Sequence, residues 1–380
     1  ILNARFLPFI LMASLMIAAC TLGSWMQYIK KPFVFIVLLV FSGYMLFFYI
    51  PSTISYIPFW MKWNYEGLQS KDAWPELKSL SDYLKDLPYG RVMWEYRSEY
   101  DKFGTPRVLE NLPIFINKPT FEGLLIESSI SGYFHFINQA ETTKTPTSAI
   151  AGLEYPSFNF ENGVKHLQYF GAQYFVAYTF EIKELADEHF IRLSDVGGFR
   201  VYKIPHSDLI EVVSGINLKL KTKEWLNESI DWYKKMDLSQ PIVFYRNKKE
   251  LEDIRGYLQQ KELTENATVE IKEIKNDSLI FSTDYLEMPH LIKYSYFPGW
   301  QVKGAKGPYL ISPSFMMVIP FQNEVTLEYS YNIWDKIGFA MSIGSFMVIL
   351  LLLLRNLSFW QNQKGDTKQS KKITASRSLY

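Results

Sequence analysis

The chain has 380 residues, and its 40 basic and 39 acidic groups leave a formal net charge of only +1. A nearly neutral chain has no overall attraction for polyphosphates, so no nucleic-acid partner is expected. Its single cysteine, Cys20, excludes an internal disulfide framework, and its five histidines lack the close spacing of a zinc motif, so no metal ligand or cofactor is assigned to this part of the protein.

Three long apolar runs, at residues 6–26, 33–50 and 337–354, predict transmembrane helices. Each run is long enough to cross about 30 Å of hydrocarbon, and a helix buried in a soluble core is the alternative. The chain begins at Ile1 with no basic segment ahead of the first run, which is unlike a signal peptide. We therefore expect a fragment of a longer polytopic protein.

Basic residues next to these runs predict the orientation of the chain. Lys30 and Lys31 lie between the first two runs, and the tail at 355–380 has six basic residues against one acidic residue. Basic flanks favour the cytoplasmic side of a membrane. We therefore expect a multi-pass protein of the plasma membrane, with residues 51–335 outside the cytoplasm and the tail inside it.

The outer region begins with helix and strand signals. Leucines at helical spacing predict a helix over Trp74–Leu87, and Gly90–Tyr96 has the pattern of a strand. A second unit has a helix from about Val164 that stops at Gly171, followed by a strand at Tyr174–Tyr178. A hairpin turning at Gly197-Gly198 completes the pattern, which predicts an α/β subdomain.

After residue 264 the polarity alternates with a period of two, as in the half-buried strands of a β-sandwich. The expected fold is therefore a set of membrane helices plus an extracytoplasmic α+β region, in which the α/β subdomain precedes an antiparallel β-sandwich. The predicted parts are two transmembrane helices in 1–50, a membrane-surface linker at 51–66, the α/β subdomain at 67–209, a connector or insertion at 210–263, the sandwich at 264–332, a transmembrane helix at 337–354 and the basic tail at 355–380.

Two segments are candidates for ligand binding. Trp300 and Tyr309 lie in turns rich in proline and glycine, where they either cap the sandwich or offer an aromatic face to a sugar ring. Carboxylates at strand ends also lie near basic groups. They either position a sugar or phosphate, serve as general acid and base if their pKa values are driven apart, or form a solvated, salt-bridged edge. The predicted substrate-binding residues are Arg91, Glu95, Asp101, Arg107, Glu122, Glu127, Trp300 and Tyr309.

No nucleophile elbow, Walker loop, HExxH motif or dinucleotide fingerprint is present, so no catalytic residue is assigned. However, several segments together resemble a known group. They are RFLPF at the first apolar run, GRVMWEY, TFEGLLIESS, HLQYFGAQYFV and the long KYSYFPGWQVKGAKGPYLISPSFMMVIPFQNEVTLEYSY before the last apolar run. The chain resembles the C-terminal part of prokaryotic polytopic membrane proteins labelled 6-pyruvoyl-tetrahydropterin synthase-related, which are similar in layout to YfhO-like and GT-C-type membrane glycosyltransferases.

This resemblance implies a cell-envelope glycosyltransferase that takes sugar from a polyprenyl-phosphate donor and transfers it to a glycan acceptor. The region seen here would be its extracytoplasmic accessory or acceptor-binding domain. A catalytic acidic residue, and any divalent metal, would belong to an upstream loop. The alternative is a non-catalytic, membrane-anchored envelope protein that binds glycan or a partner subunit.

Overall fold

The computed structural model describes residues 7–26, 32–53, 56–121, 130–235, 237–257 and 268–354. The chain divides into two compact units. The first contains residues 1–78 and 98–108, and the second contains residues 79–97 and 109–380.

Helices dominate the first unit. They are α1 (Leu7–Met26), α2 (Pro32–Tyr44), which continues through a π-helical turn at Met45–Tyr49, α3 (Ile50–Thr53) and α4 (Tyr56–Tyr65). Short 3-10 turns lie at Leu68–Ser70 and Ser98–Phe103, and α5 (Trp74–Asp86) contains residues of both units. The Lys71 ammonium ties the end of α4 in place, because it lies 2.7 Å from Glu66 Oε1 and 3.4 Å from the centre of the Trp63 ring.

Two helices among the described residues are long and apolar enough to cross a membrane, namely Pro32–Tyr49 and α12 (Ile333–Leu354). Neither has a buried residue, and so much exposed apolar surface indicates association with a membrane. The apolar stretch of α1, Phe9–Trp25, is shorter. The segment with Lys30 and Lys31 and the tail at 355–380, on which the predicted orientation rests, lie outside the described residues.

Three sheets organise the second unit. Sheet 1 has the order β1-β2-β4-β3, sheet 2 the order β5-β10-β13-β12-β7-β6, and sheet 3 the order β11-β14-β9-β8. Sheets 1 and 2 each contain one parallel pair, β1 with β2 and β6 with β7, whereas sheet 3 is antiparallel throughout. The strands are β1 (Val92–Trp94), β2 (Tyr174–Ala177), β3 (Ile191–Val196), β4 (Phe199–Lys203), β5 (Ile210–Val212), β6 (Asn217–Leu220), β7 (Ile242–Tyr245), β8 (Val269–Ile274), β9 (Ser278–Thr283), β10 (His290–Ser295), β11 (Trp300–Lys303), β12 (Ala305–Ile311), β13 (Phe315–Pro320) and β14 (Glu324–Tyr329).

The remaining helices of this unit are α6 (Leu112–Ile116), α7 (Gly132–Thr142), α8 (Phe160–Phe170), α9 (Phe180–His189), α10 (Trp225–Lys234) and α11 (Lys248–Arg255). Residues of α7, α8 and α10 share one apolar core with residues of sheets 1 and 2. A second core combines residues of sheets 2 and 3. Helices and sheets therefore make an α+β architecture, in agreement with the predicted class.

Strand β13 lies between these two cores. Met317 and Ile319 belong to the first core, whereas Met316 and Val318 belong to the second. All six residues of the strand are buried. Because both faces of the strand are buried, neither face needs polar side chains, and its sequence is therefore a continuous apolar run without alternation.

Local sequence signals match the structure closely. The predicted helix at Trp74–Leu87, the helix stop at Gly171 and the hairpin at Gly197-Gly198 are confirmed. The segment 210–263, predicted as a connector or insertion, supplies β5, β6 and β7 to sheet 2. The predicted boundary at residue 263 therefore falls within sheet 2, because β10, β12 and β13 of the same sheet follow it.

Candidate functional site

Arg91, a predicted ligand contact, binds main-chain groups. Its guanidinium donates to the carbonyl oxygen of Phe170, the last residue of α8, and to that of Lys293 at 2.8 Å. Burial lowers the pKa of Arg91 from its usual value, and the nearby Tyr294 opposes that shift. A cation at the C-terminus of a helix is favoured by the helix dipole, so Arg91 stabilises the end of α8.

Lys293 reaches the same helix end. Its side chain is fully buried, its ammonium donates to the Gln168 carbonyl oxygen at 3.0 Å, and it forms an ion pair with Glu211. Burial lowers the pKa of Lys293, while Glu211 acts in the opposite direction. The chain turns away at Gly171, where φ is +71°, a left-handed value that glycine adopts readily. The two cations and this glycine together end α8.

Glu95 follows β1 and is completely buried. One carboxylate oxygen accepts the Tyr178 and Thr179 amides at 2.7 and 2.8 Å, and the other accepts the Thr179 hydroxyl at 2.7 Å. Thr179 is the N-cap of α9. Glu95 therefore fixes the junction between β2 and α9, and its negative charge lies at the positive end of the helix dipole.

The other predicted residues are dispersed. Asp101 is exposed and Arg107 is half-buried, both in the first unit. Trp300 is half-buried on sheet 3 and packs edge-on against Tyr329, with ring centres 6.0 Å apart, whereas Tyr309 is buried on sheet 2. Burial raises the pKa of Tyr309 to about 12. Glu122 and Glu127 lie outside the described residues.

A cleft in the second unit has the features of a binding site. It consists of two cavities of about 450 and 600 Å³, which share Tyr89 and Ile274 in their walls. The first cavity is lined by 203–209, which comprise the end of β4 and the loop after it, and the second by 117–119 and by the turn at 275–277 between β8 and β9. We call this feature the Tyr89 cleft.

Tyr89 is held in position at the centre of the cleft. Its ring is 47% exposed, and its hydroxyl lies 3.1 Å from that of Tyr294. The preceding carbonyl oxygens of Leu87 and Pro88 accept hydrogen bonds from the Lys118 ammonium at 2.5 and 2.6 Å. Because its neighbours are fixed, the exposed ring is preorganised for contact with a ligand.

Polar groups line the same cavity as this ring. The side chains of Lys203, His206 and Asp208 are exposed there, and Asp208 also acts electrostatically on the buried Lys293. Their loop is nevertheless ordered by main-chain contacts, since Gln173 Nε2 donates to the Ser207 carbonyl oxygen at 2.8 Å. The cleft therefore offers an ammonium, an imidazole and a carboxylate to a bound molecule.

Two residues with an uncommon backbone conformation line the same cleft. Three non-glycine residues of the described chain have a left-handed backbone, and two of them, Asn117 and His206, line the cleft, one in each cavity. Asn117 is the C-cap of α6, which accounts for its conformation. His206 has φ of +55° without such a role, and strained backbone of this kind is concentrated at functional sites.

Sequence reasoning missed this cleft because its walls come from segments that are distant along the chain. The run Pro205-His206-Ser207-Asp208 signals a turn, but nothing in the sequence places it beside Tyr89. An aromatic face with nearby donors and acceptors suits a polar ligand with an apolar ring face. Comparisons of the chain with protein-family models, with curated proteins and with solved structures find no match.

Proposed function

We propose that this chain is a membrane-anchored binding module whose second unit holds a saccharide in the Tyr89 cleft. The observation that carries the proposal is the exposed, fixed ring of Tyr89 in the wall of a cavity that the exposed side chains of Lys203, His206 and Asp208 also line. A sugar has an apolar ring face that stacks on an aromatic side chain and hydroxyl groups that need both donors and acceptors. The cleft provides all three kinds of contact.

The membrane anchoring in this proposal extends beyond α12. The exposed aromatic residues of α4, among them Tyr56, Phe59 and Trp60, support a position at the membrane surface, as expected for the segment 51–66. If α1 also crosses the bilayer, there are three crossings, and the positive-inside rule then favours a multi-pass protein with residues 51–335 outside the cytoplasm and the tail inside it. The lipid bilayer and an envelope glycan are the partners in this account.

The β-sandwich is part of the same proposal. The core shared by sheets 2 and 3 includes Phe281 and Leu327 of sheet 3 and Met316 and Val318 of sheet 2. Apolar side chains from two sheets in one core support a face-to-face packing of those sheets. The sandwich would then provide a rigid support between the membrane helix α12 and the cleft.

A GT-C-like glycosyltransferase is the second candidate, and the sequence resemblance together with α12 favours it. For a transferase of that kind, the Tyr89 cleft binds the glycan acceptor, and the polyprenyl-phosphate sugar and the catalytic acid lie outside this cleft. Transfer of labelled sugar by the full-length protein in membranes, with a raised acceptor KM in Tyr89→Ala, supports the transferase. Glycan binding without transfer from any polyprenyl-phosphate donor supports the binding module alone.

The direct test uses the chain in lipid nanodiscs and saturation-transfer NMR with neutral and acidic envelope oligosaccharides. Loss of a stacking contact worth about 1.4 kcal/mol weakens binding about tenfold, so we expect at least that effect in Tyr89→Ala. Tyr89→Phe keeps the ring and retains most of the binding. Phe180→Ala is the matched control, because Phe180 is a 75% exposed aromatic residue outside the cleft. Equal binding by Tyr89→Ala and wild type contradicts the proposal.

A further inference from the structure

An exposed aromatic cluster lies at one end of sheet 3. Phe297, Tyr329 and Tyr331 are 53%, 37% and 72% exposed. The Tyr329 ring is at its centre, 6.0 Å from the Phe297 ring and 6.4 Å from the Tyr331 ring, measured between ring centres. Trp300 packs on Tyr329 from the core side. We call Phe297, Tyr329 and Tyr331 the aromatic edge.

The turn that presents Phe297 is tightly held. The Trp300 amide donates to the Phe297 carbonyl oxygen at 3.1 Å, which closes the turn Phe297-Pro298-Gly299-Trp300. A Cβ atom at Gly299 would lie 2.5 Å from the Tyr329 ring, so only glycine lets the turn approach that ring so closely. The exposure of Phe297 is therefore built into the packing of the sheet.

The connection from this edge to the membrane helix is very short. The Ser330 amide donates to the Gly299 carbonyl oxygen at 2.9 Å, which ties the end of β14 to the turn. Asn332 then caps α12, since its side-chain oxygen accepts the Trp334 and Asp335 amides at 2.8 and 3.1 Å. Tyr331 is the only residue between Ser330, which is hydrogen-bonded to the turn, and Asn332, which caps α12. Four residues span at most about 14 Å, so Tyr329 lies within that distance of the start of α12.

We infer that the aromatic edge is a lipid-contacting surface that lies in the headgroup layer of the bilayer and holds sheet 3 against the membrane. Tyrosine and tryptophan favour this layer because they combine an apolar ring with a polar group. Trp334, 75% exposed in the first turn of α12, continues the same surface. The occupant is lipid rather than a protein partner, because the edge is continuous with a helix that has the length and composition of a membrane span.

This inference rests on the proposed membrane anchoring and is independent of the ligand in the Tyr89 cleft. It differs from the proposed aromatic linker at 51–66, because it assigns a membrane contact to the folded second unit itself. The contact would fix the orientation of sheet 3 relative to the bilayer, and this orientation can be tested by measuring the membrane depth of individual residues of the sheet.

Phe321 provides a matched control. It has the same residue type and the same 53% exposure as Phe297, but it lies at the opposite end of β14, where its amide donates to the Gly304 carbonyl oxygen. Five residue steps of a strand separate the two ends of β14 by about 17 Å, which exceeds the depth of one headgroup layer. In this inference β14 points away from the bilayer, so lipid contact at its Tyr329 end leaves the other end in water.

The experiment uses the full chain with Cys20→Ser, which removes its only cysteine. Phe297→Cys, Tyr331→Cys and Phe321→Cys carry a nitroxide label in vesicles of phosphatidylethanolamine and phosphatidylglycerol. Collision rates with oxygen, which partitions into lipid, and with a water-soluble nickel complex report membrane depth. We expect a high ratio of oxygen to nickel collisions at 297 and 331 and the reverse at 321.

Water-like ratios at both 297 and 331, in protein that floats with the vesicles, overturn the inference and leave the anchoring intact. Failure of the chain to float with the vesicles overturns the inference together with the proposed anchoring. If Phe297→Cys does not fold, the collision ratio at Tyr331→Cys alone decides whether the aromatic edge contacts lipid. Glycan binding measured on the same samples tests the cleft separately.

Discussion

Glu141 Oε2 and His166 Nδ1 lie 2.6 Å apart in the core between α7 and α8, where both side chains are almost completely buried. The other ring nitrogen, Nε2, lies 2.8 Å from the Tyr233 carbonyl oxygen. A carbonyl oxygen only accepts hydrogen bonds, so Nε2 carries a proton. The Glu141–His166 contact is then a hydrogen bond between two buried polar groups.

This pair predicts unequal effects of its two partners on stability. His166→Ala leaves the Glu141 carboxyl group buried without a partner, and we expect a loss of roughly 3–5 kcal/mol in the free energy of unfolding. Glu141→Gln keeps a donor for Nδ1 and loses about 1 kcal/mol. Urea unfolding of the chain in detergent measures both. If the buried Glu141 carboxyl group causes the loss of stability in His166→Ala, the double variant recovers part of that loss. Equal losses in the two single variants refute this explanation.

His290 predicts a pH dependence of stability. It is fully buried, its Nδ1 donates to the Met288 carbonyl oxygen at 2.8 Å, and its Nε2 lies 2.8 Å from the Thr283 hydroxyl. The Thr283 hydroxyl donates to Nε2, which requires a neutral ring. Burial lowers the pKa of His290 from 6.5 to about 4, although the bond to the Met288 carbonyl favours the charged form.

Between pH 6.5 and about 4 the unfolded chain therefore binds a proton at His290 that the folded chain does not. The free energy of unfolding falls as the pH falls through this window, by about 3 kcal/mol from this group, and it is independent of His290 above the window. Urea unfolding across this range, compared with His290→Gln, measures the effect. The variant should have a flatter dependence, and an identical slope in both proteins rules out His290 as its source.

Gly163 predicts coupling between α7 and α8. A Cβ atom at this position would lie 2.4 Å from Thr142 Cγ2, which is far too close. Gly163→Ala should therefore reduce the free energy of unfolding by roughly 1–3 kcal/mol. Thr142→Ser removes the obstructing methyl group and keeps the hydroxyl, so it should relieve much of that loss in the double variant. Additive losses in a double-mutant cycle would show that the two helices relax independently.

Glu95 predicts a structural effect where the sequence suggested substrate binding. Glu95→Ala removes the acceptor of two amides and a hydroxyl in a buried place, and we expect a loss of about 2–4 kcal/mol in the free energy of unfolding. Glycan binding per folded molecule should be unchanged. Thermal unfolding and a binding titration on the same sample separate the two effects. A stable Glu95→Ala protein that no longer binds glycan restores Glu95 to the binding site.

Local signals in the sequence were sufficient for much of the fold. Gly171 and Gly197 mark chain reversals because both have a left-handed backbone, which few other residues adopt. Strand partners were not predictable in the same way. The short strand β5 joins β10 across about eighty residues, through a register that depends on which faces the two cores bury. Nothing local distinguishes such a strand from a connector.

The site was less predictable than the fold. Glu95 and Arg91 stand out in the sequence as charged residues next to a strand, but their partners lie about eighty residues away at the ends of α9 and α8. In a sequence, charged residues that stabilise helix termini in the core cannot be distinguished from charged residues that bind a ligand. Tyr89, by contrast, stands out only because distant segments surround it.

The proposed location of the second unit, outside the cytoplasm where it meets envelope saccharides, can be measured by its accessibility in intact cells. Phe321→Cys in a Cys20→Ser background places the chain's only thiol at an exposed position far from α12 along sheet 3. If the second unit lies outside the cytoplasm, a membrane-impermeant maleimide labels this thiol before the cells are broken. Labelling only after the membrane is disrupted places the unit in the cytoplasm and rules out the proposed location.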